Sequence, residues 1–382
     1  MNQTTDVVIS QNSIISLHTQ LHNELRQFIL SGRWPNATRI PSESEFVEHL
    51  KISRSTVRLA LQHIEVEGLI ERIAGRGTFV TYTAVQARAE RIIAFVTCDF
   101  DSEHQLLTLN GIESEARAHG YQVSFSQATN HQEEIDILER LQEKHAGVIL
   151  WSNILQAPLQ NDNRYKQLRI PIVLVDRKMY GLDYDCVISD NYGGSRNLMQ
   201  HFVELGHQHI VFLSHHIVEL SSVKDRYRAY QDVLRENGLT PIDPWIIGPP
   251  GKEMSFKRAL RSSVDNKSLE LQTIKDYMLN AQPRPTAIFA INDLLAVLAM
   301  RAMKLLDLPL PDAVSIAGFD DIDLAAQLAV PLTTVAQDSF MIAKTAAQLL
   351  IERIEGNSGP TREQIIPTQL RIRNSTAALV TA

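Results

Sequence analysis

Long apolar runs, paired cysteines and a dominant sign of charge are all missing from this chain of 382 residues, and each absence removes a class of protein. No stretch approaches the roughly 20 apolar residues that cross a bilayer. Met1 to Asn12 has no Lys or Arg ahead of an apolar segment, so no secretory leader is expected. Two cysteines, Cys98 and Cys186, lie far apart and match no paired metal-ligand spacing, which argues against a disulfide framework or a zinc finger. Packed thiols in a reducing, cytoplasmic compartment are expected instead. There is no Gly-x-Ser-x-Gly, no Walker-type loop and no Gly-x-Gly-x-x-Gly after the strand expected at Ile92 to Val96. Nucleophile-elbow, phosphate-loop and dinucleotide chemistry therefore have no support, and neither an enzyme nor a cofactor is expected.

What is present points to a divided molecule. The length exceeds the roughly 250 to 300 residues at which a single core stops growing, so at least two domains are expected. Net charge is −7, which argues against a protein that coats nucleic acid over its whole surface. Residues 1–80 contain eight Lys or Arg and eight Asp or Glu; subtracting these from 37 and 44 leaves 29 and 36 downstream. All the excess acid lies beyond residue 80. Residues 51–80 carry a local basic patch of Lys51, Arg54, Arg58, Arg72 and Arg76 against Glu65, Glu67 and Glu71. Charge alone leaves DNA binding undecided.

In the first eighty residues, Leu17, Leu21, Leu25, Phe28 and Ile29 share one face of a helix expected over 15–31. Ser42 with Glu45 three positions on has the capping-box spacing, and Phe46, Val47 and Leu50 follow as the stripe of a short second helix. Ser53 caps a third helix whose Val57, Ala60, Leu61 and Ile64 face inward and which Gly68 closes. Its other face carries Arg54, Ser55, Arg58 and Gln62, with 54, 58 and 62 in one row. Arg forks onto guanine, Gln pairs with adenine, and hydroxyls at a helix N-terminus hold phosphate. Taken singly, such a helix is more often a solvated face. Leu69 to Ile73 and Thr78 to Val80 flank Gly75-Arg76-Gly77 as a hairpin wing.

In this order the pieces resemble the GntR-type winged helix-turn-helix over residues 13–80, through Leu17-His18, Ile40-Pro41-Ser42-Glu43, Ser53-Arg54-Ser55-Thr56-Val57-Arg58, Glu67-Gly68-Leu69-Ile70 and Gly75-Arg76-Gly77-Thr78-Phe79-Val80. The resemblance implies an α+β domain over residues 1–80 that grips double-stranded operator DNA. Arg54 and Arg58 would read the major groove, Ser42, Ser53 and Thr56 would hold phosphates, and Gly75, Arg76 and Gly77 would lie along the minor groove. Glu43, Ser55 and Gln62 fall within the same interface.

A linker is expected at 81–90, and from Arg91 short apolar runs alternate with amphipathic ones. The runs at Ile92 to Val96, Val123 to Phe125, Val148 to Leu150, Ile172 to Val175, Ile210 to Leu213, Ala287 to Ile291 and Ser315 to Phe319 read as strands. Repeated βαβ units imply parallel sheets, and so many between 91 and 382 suit two doubly wound lobes with a ligand between them at the carboxyl ends of the strands. The polar residues there are Asp176-Arg177, Asn292-Asp293 and Asp320-Asp321. Carboxylates and guanidinium forks suit the vicinal hydroxyls of a sugar, although Asn and Asp at such junctions equally cap helices.

Asp190-Asn191-Tyr192-Gly193-Gly194, Glu204-Leu205-Gly206-His207, Pro285-Thr286-Ala287 to Asn292-Asp293, Gly318-Phe319-Asp320-Asp321, Pro331-Leu332-Thr333-Thr334-Val335, Pro367-Thr368-Gln369-Leu370 and Arg373-Asn374-Ser375-Thr376 look like the LacI/GalR-type effector domain. The resemblance implies a periplasmic-binding-protein-like domain whose effector contacts are Asp176, Arg226, Asn292 and Asp320, with Arg177 beside them. Ala229 stands where that family has Gly, which weakens the assignment of Arg226. The first loop departs further, leaving Asp99, Ser102 and His104 as alternatives. A LacI-type hinge helix is not expected. A GntR-type reader on a LacI-type sensor resembles the arabinose-responsive repressors of Gram-positive bacteria and implies a homodimer relieved of DNA by a small sugar effector, a pentose such as L-arabinose.

A regulator answering to another ligand, a sugar-converting enzyme with an appended reader, and a transport-type binding protein are the alternatives. The last would need an export signal. His207, His209, His215 and His216 cluster in sequence but straddle a strand, and Asp320, Asp321 and Asp323 lack an EF-hand spacing, so no metal site is expected.

Overall fold

The computed structural model describes residues 7, 9–10, 16–30, 33–81, 91–98, 102–152, 163–215, 220–248 and 268–379. Contacts divide the chain into two units, 1–92 with 144–146, and 93–143 with 147–382. Residues 82–90 of the expected linker, together with Asp99 and His216, lie outside the described residues.

The first unit has helices α1 (Leu17–Leu30), α2 (Glu43–Leu50) and α3 (Arg54–Val66), followed by strands β1 (Ile70–Ile73) and β2 (Gly77–Val80). Ser42 closes the expected capping box with Glu45. Lys51 ends α2 in the left-handed conformation (φ 52°), with its N–H on Val47 O. That sharp turn lets Ser53 accept from Thr56 N and start α3 at once. Leu21, Leu25, Phe46, Val57, Leu61 and Ile64 form one buried core, and β1 pairs antiparallel with β2 from Ile70↔Val80 to Ile73↔Gly77. This is a winged helix-turn-helix.

The second unit has two six-stranded sheets. One has the order β13-β7-β6-β5-β3-β4, from Glu363–Ile366, Asp185–Ser189, Ile172–Val175, Gly147–Trp151, Ile92–Thr97 and Gln122–Gln127. The other has the order β14-β12-β11-β10-β8-β9, from Gln369–Arg371, Thr333–Ala336, Ser315–Asp320, Ala287–Ala290, Ile210–His215 and Trp245–Ile247. Neighbours β8 to β12 run parallel, and β14 is an antiparallel edge on β12. The central strands are buried on both faces, as parallel sheets covered by helices require.

The chain passes between the lobes three times. From β7 it enters α7 (Asn191–Glu204), which packs on α8 (Ser221–Glu236) and on β12. From β12 it returns through α12 (Ser339–Ile354), which packs on α4 (Glu103–Ala118) and on β5, β6 and β7. From β13 it passes to β14. Cys98 and Cys186 are free and buried, and no helix of the described residues is long and apolar enough to cross a membrane.

Candidate functional sites

On the reader, Arg54, Ser55, Arg58 and Gln62 are solvent-facing along α3 as the sequence pattern requires. Their environment is more structured than expected. Ser53 Oγ accepts from Thr56 N at 3.1 Å and lies 2.7 Å from both Ser55 Oγ and Thr56 Oγ1. Three hydroxyls thus cluster at the N-terminus of α3, where the helix dipole favours an anion. Ser42 Oγ accepts from Glu45 N in the capping box of α2. At the wing, Gly75 (φ 74°) and Gly77 (φ 117°) take left-handed conformations that L side chains resist, with exposed Arg76 between them. Glu43 lies within 3.4 to 3.6 Å of Arg54, Arg58 and Arg72.

In the second unit the candidate effector residues gather at the carboxyl ends of strands from both lobes. Arg226 on α8 is 6% exposed. It donates from Nε to Asn191 Oδ1 (2.9 Å) and from Nη1 to Ile291 O (2.5 Å), and its guanidinium carbon lies 3.6 Å from the Phe319 ring centroid. Asp320 Oδ1 accepts from Gln337 Nε2 at 2.8 Å and stands 3.9 Å from Arg226 Nη1, while Oδ2 is 3.6 Å from His104 Nε2. His104 Nδ1 is bonded to Ser339 Oγ at 2.7 Å. Burial drives the Asp320 pKa upward, His104 and Arg226 hold it back, and Asp176 adds to the rise. Asp176 receives both Arg177 Nε and Nη2 on Oδ2.

Asp176 (φ 71°), Asp320 (φ 123°) and Asp321 (φ 58°) all have positive φ at strand ends. Such strain costs on the order of 1 to 3 kcal/mol per residue and clusters at ligand sites.

Several of the residues singled out in the sequence have partners within the protein. Asn292 Oδ1 accepts from Leu295 N and caps α10 (Asp293–Leu305), and Ser102 caps α4. Asp321 pairs with Arg373 at 2.6 Å. His207 contacts Thr286 Oγ1, Ser315 Oγ and Ala377 O, tying down the C-terminal segment. Among the described residues no three His, Cys, Asp or Glu side chains form a metal-ligand set. Four residues of the polar cluster escaped sequence reasoning as contacts: Ser189, Asn191, Gln337 and Ser339. Asn191 belongs to a motif quoted above, and Gln337 follows another by two positions; neither carried a signal of its own.

Comparison with known proteins agrees with both halves. Residues 17–80 match the bacterial regulatory proteins of the gntR family, and residues 199–376 match the periplasmic binding protein-like domain. The chain is 28% identical over 370 residues to an arabinose metabolism transcriptional repressor of Geobacillus stearothermophilus, covering 94% of this chain and 97% of that one. It is 30% identical over 270 residues to a ribose operon repressor of Halalkalibacterium halodurans, covering 69% and 73%. Among solved structures, a transcriptional regulator CelR in complex with cellobiose superposes with a TM-score of 0.64 at 20% identity, covering 85% of this chain and 92% of that one.

Proposed function

The chain belongs to the bacterial repressors that join a gntR-family reader to a LacI/GalR-type, periplasmic-binding-protein-like effector domain, and from that membership we propose that it represses sugar-utilisation genes until a small sugar releases it from its operator. The effector is a pentose, with L-arabinose the leading candidate, and the DNA-binding form is a homodimer on two half-sites. Arg54, Arg58 and Gln62 read bases, the hydroxyls of Ser53, Ser55 and Thr56 approach phosphate, and Arg76 follows the minor groove.

One observation carries the effector reading: a buried guanidinium, Arg226, faces the half-buried carboxylate of Asp320, with both lobes contributing to their surroundings. A sugar hydroxyl both donates and accepts, so it can bridge two such groups that stand too far apart to bond each other. Asp176 Oδ1 is the proposed acceptor for a second hydroxyl. Asp99, His104, Arg177 and Asn292 complete the proposed lining.

The test is a thermal-shift screen of the full chain against pentoses, hexoses and their phosphates, because a ligand that binds only the native state raises the melting temperature. One pentose is expected to shift it while its epimers do not. No shift with any sugar would remove the effector assignment and leave the reader untouched.

A further inference from the structure

We propose that Glu43 sets the DNA specificity of the reader by gathering Arg54, Arg58 and Arg72 around one carboxylate, and that it makes no contact with DNA itself. This rests on the reading of α3 and the wing as the DNA interface, and it adds Arg72, on strand β1, to that interface.

Three guanidinium groups from two elements converge on this side chain. Oε2 stands 3.6 Å from Arg54 Nε and 3.5 Å from Arg58 Nη2, while Oε1 stands 3.4 Å from Arg72 Nη1. Arg54 and Arg72 each have a second anchor: Arg54 Nη2 donates to Ser44 Oγ at 3.1 Å, and Arg72 Nε meets Glu65 Oε2 at 2.9 Å. The exposures form a gradient. Glu43 is 20% exposed, against 65%, 62% and 38% for Arg54, Arg58 and Arg72. The carboxylate is therefore recessed behind the three positive groups that would meet a duplex first. Its backbone is held at the start of α2, which the Ser42–Glu45 capping box fixes, and its charge is favoured by the positive end of the helix dipole.

A carboxylate near DNA is repelled by phosphate, and it contributes directly only by accepting from a base amine such as cytosine N4. Recessed, it acts differently. It lowers the net positive charge available to any phosphate backbone, which weakens sequence-independent binding. It also aims the three forks, so that a duplex presenting guanines in matching register gains more than one that does not.

The experiment uses the full chain and a duplex that the wild-type protein selects from a randomised pool, compared with a scrambled duplex across a salt series. For Glu43→Gln, the expected result is several-fold tighter binding to the scrambled duplex and a smaller ratio of selected to scrambled affinity. Log K against log salt should steepen by up to about 0.9, the value for one additional phosphate neutralised. Glu43→Asp keeps the charge but shortens the reach; it should lower the ratio without tightening scrambled binding. Arg72→Gln should weaken both duplexes and flatten the slope by about 0.9. Loss of selected-duplex affinity in Glu43→Gln with scrambled binding and slope unchanged would mean a direct base contact and overturn the proposal, as would no change in either variant of Glu43. If the wild-type chain enriches no duplex, the DNA-binding reading falls, and this inference with it.

Discussion

Burying a guanidinium costs heavily unless its donors are met, and Arg226 meets that demand with an amide oxygen, a backbone carbonyl, an aromatic face and a carboxylate just beyond bonding distance. The carboxylate is the more vulnerable partner. Asp320 has a raised pKa in the fold, so its contribution to stability is complete below the unfolded-state value of about 3.9 and is lost as pH rises through the folded value. Arg226 limits that loss. Arg226→Ala should therefore cost roughly 3 kcal/mol near neutrality, the scale for stranding one member of a buried pair. The deficit should shrink at pH 5 and grow at pH 8, and adding Asp320→Asn should remove the pH dependence. Urea unfolding midpoints at the two pH values measure it; a deficit equal at both would show that Asp320 is not the stranded charge. Arg226 and Asp320 entered the sequence reading through the family resemblance, and the structure places them side by side. Ser189, Asn191 and Gln337 were not legible in the sequence, because hydroxyls and amides occur throughout the chain and only the tertiary path brings positions 189, 226, 320 and 337 together.

Helices α4 and α12 run side by side because one residue permits it. A Cβ built on Gly111 would meet Ala343 Cβ at 2.8 Å and Lys344 N at 3.2 Å, with Phe340 O closer still. At an isolated helix position Gly→Ala would stabilise by about 1 kcal/mol through propensity. Here steric crowding by backbone atoms opposes it, and overpacking typically costs about 1 to 3 kcal/mol. Gly111→Ala should accordingly be net destabilising, read as a lower melting temperature of the effector unit; a rise would mean that the two helices separate easily. The same packing explains what the sequence concealed. Periodicity revealed α1 and α3, whose buried and exposed faces are distinct. In α12, Ser339, Ile342, Ala343, Ala346, Ala347, Leu349, Leu350 and Ile351 are all buried, because a sheet covers one side and α4 another. A wide apolar face blurs the helical period. Strand β7 reads only as Cys186-Val187-Ile188 between polar residues, too short a run for periodicity to separate strand from helix. Strands β13 and β14 pair with β7 and β12 across long sequence separations, which no local pattern encodes.

Two lobes that exchange the chain three times can close only by bending those crossings together. The crossings are bonded to one another. Ser189 Oγ donates to Gln337 Oε1 at 2.6 Å, Asp190 N to Ile366 O at 2.9 Å, and Thr368 Oγ1 to Asp190 O at 3.2 Å. Gln337 also donates to Asp320, so a ligand that competes for that carboxylate acts on the crossing as well as on the pocket. If this closure is what relieves repression, effector and operator bind to one shared equilibrium, and thermodynamics fixes the relation between them. A sugar that weakens operator binding by some factor must itself be weakened by operator by the same factor. Couplings of this kind amount to about 1 to 3 kcal/mol, or roughly 5- to 150-fold. The two factors are independently measurable: operator affinity with and without saturating sugar, and sugar affinity with and without saturating operator. They should agree within error, and Gln337→Leu should reduce both together while leaving operator affinity without sugar unchanged. A large effect of sugar on DNA binding in Gln337→Leu would mean that the signal leaves the site by another route, and equal affinities for operator in the presence and absence of every bound sugar would show that the pocket does not control the reader.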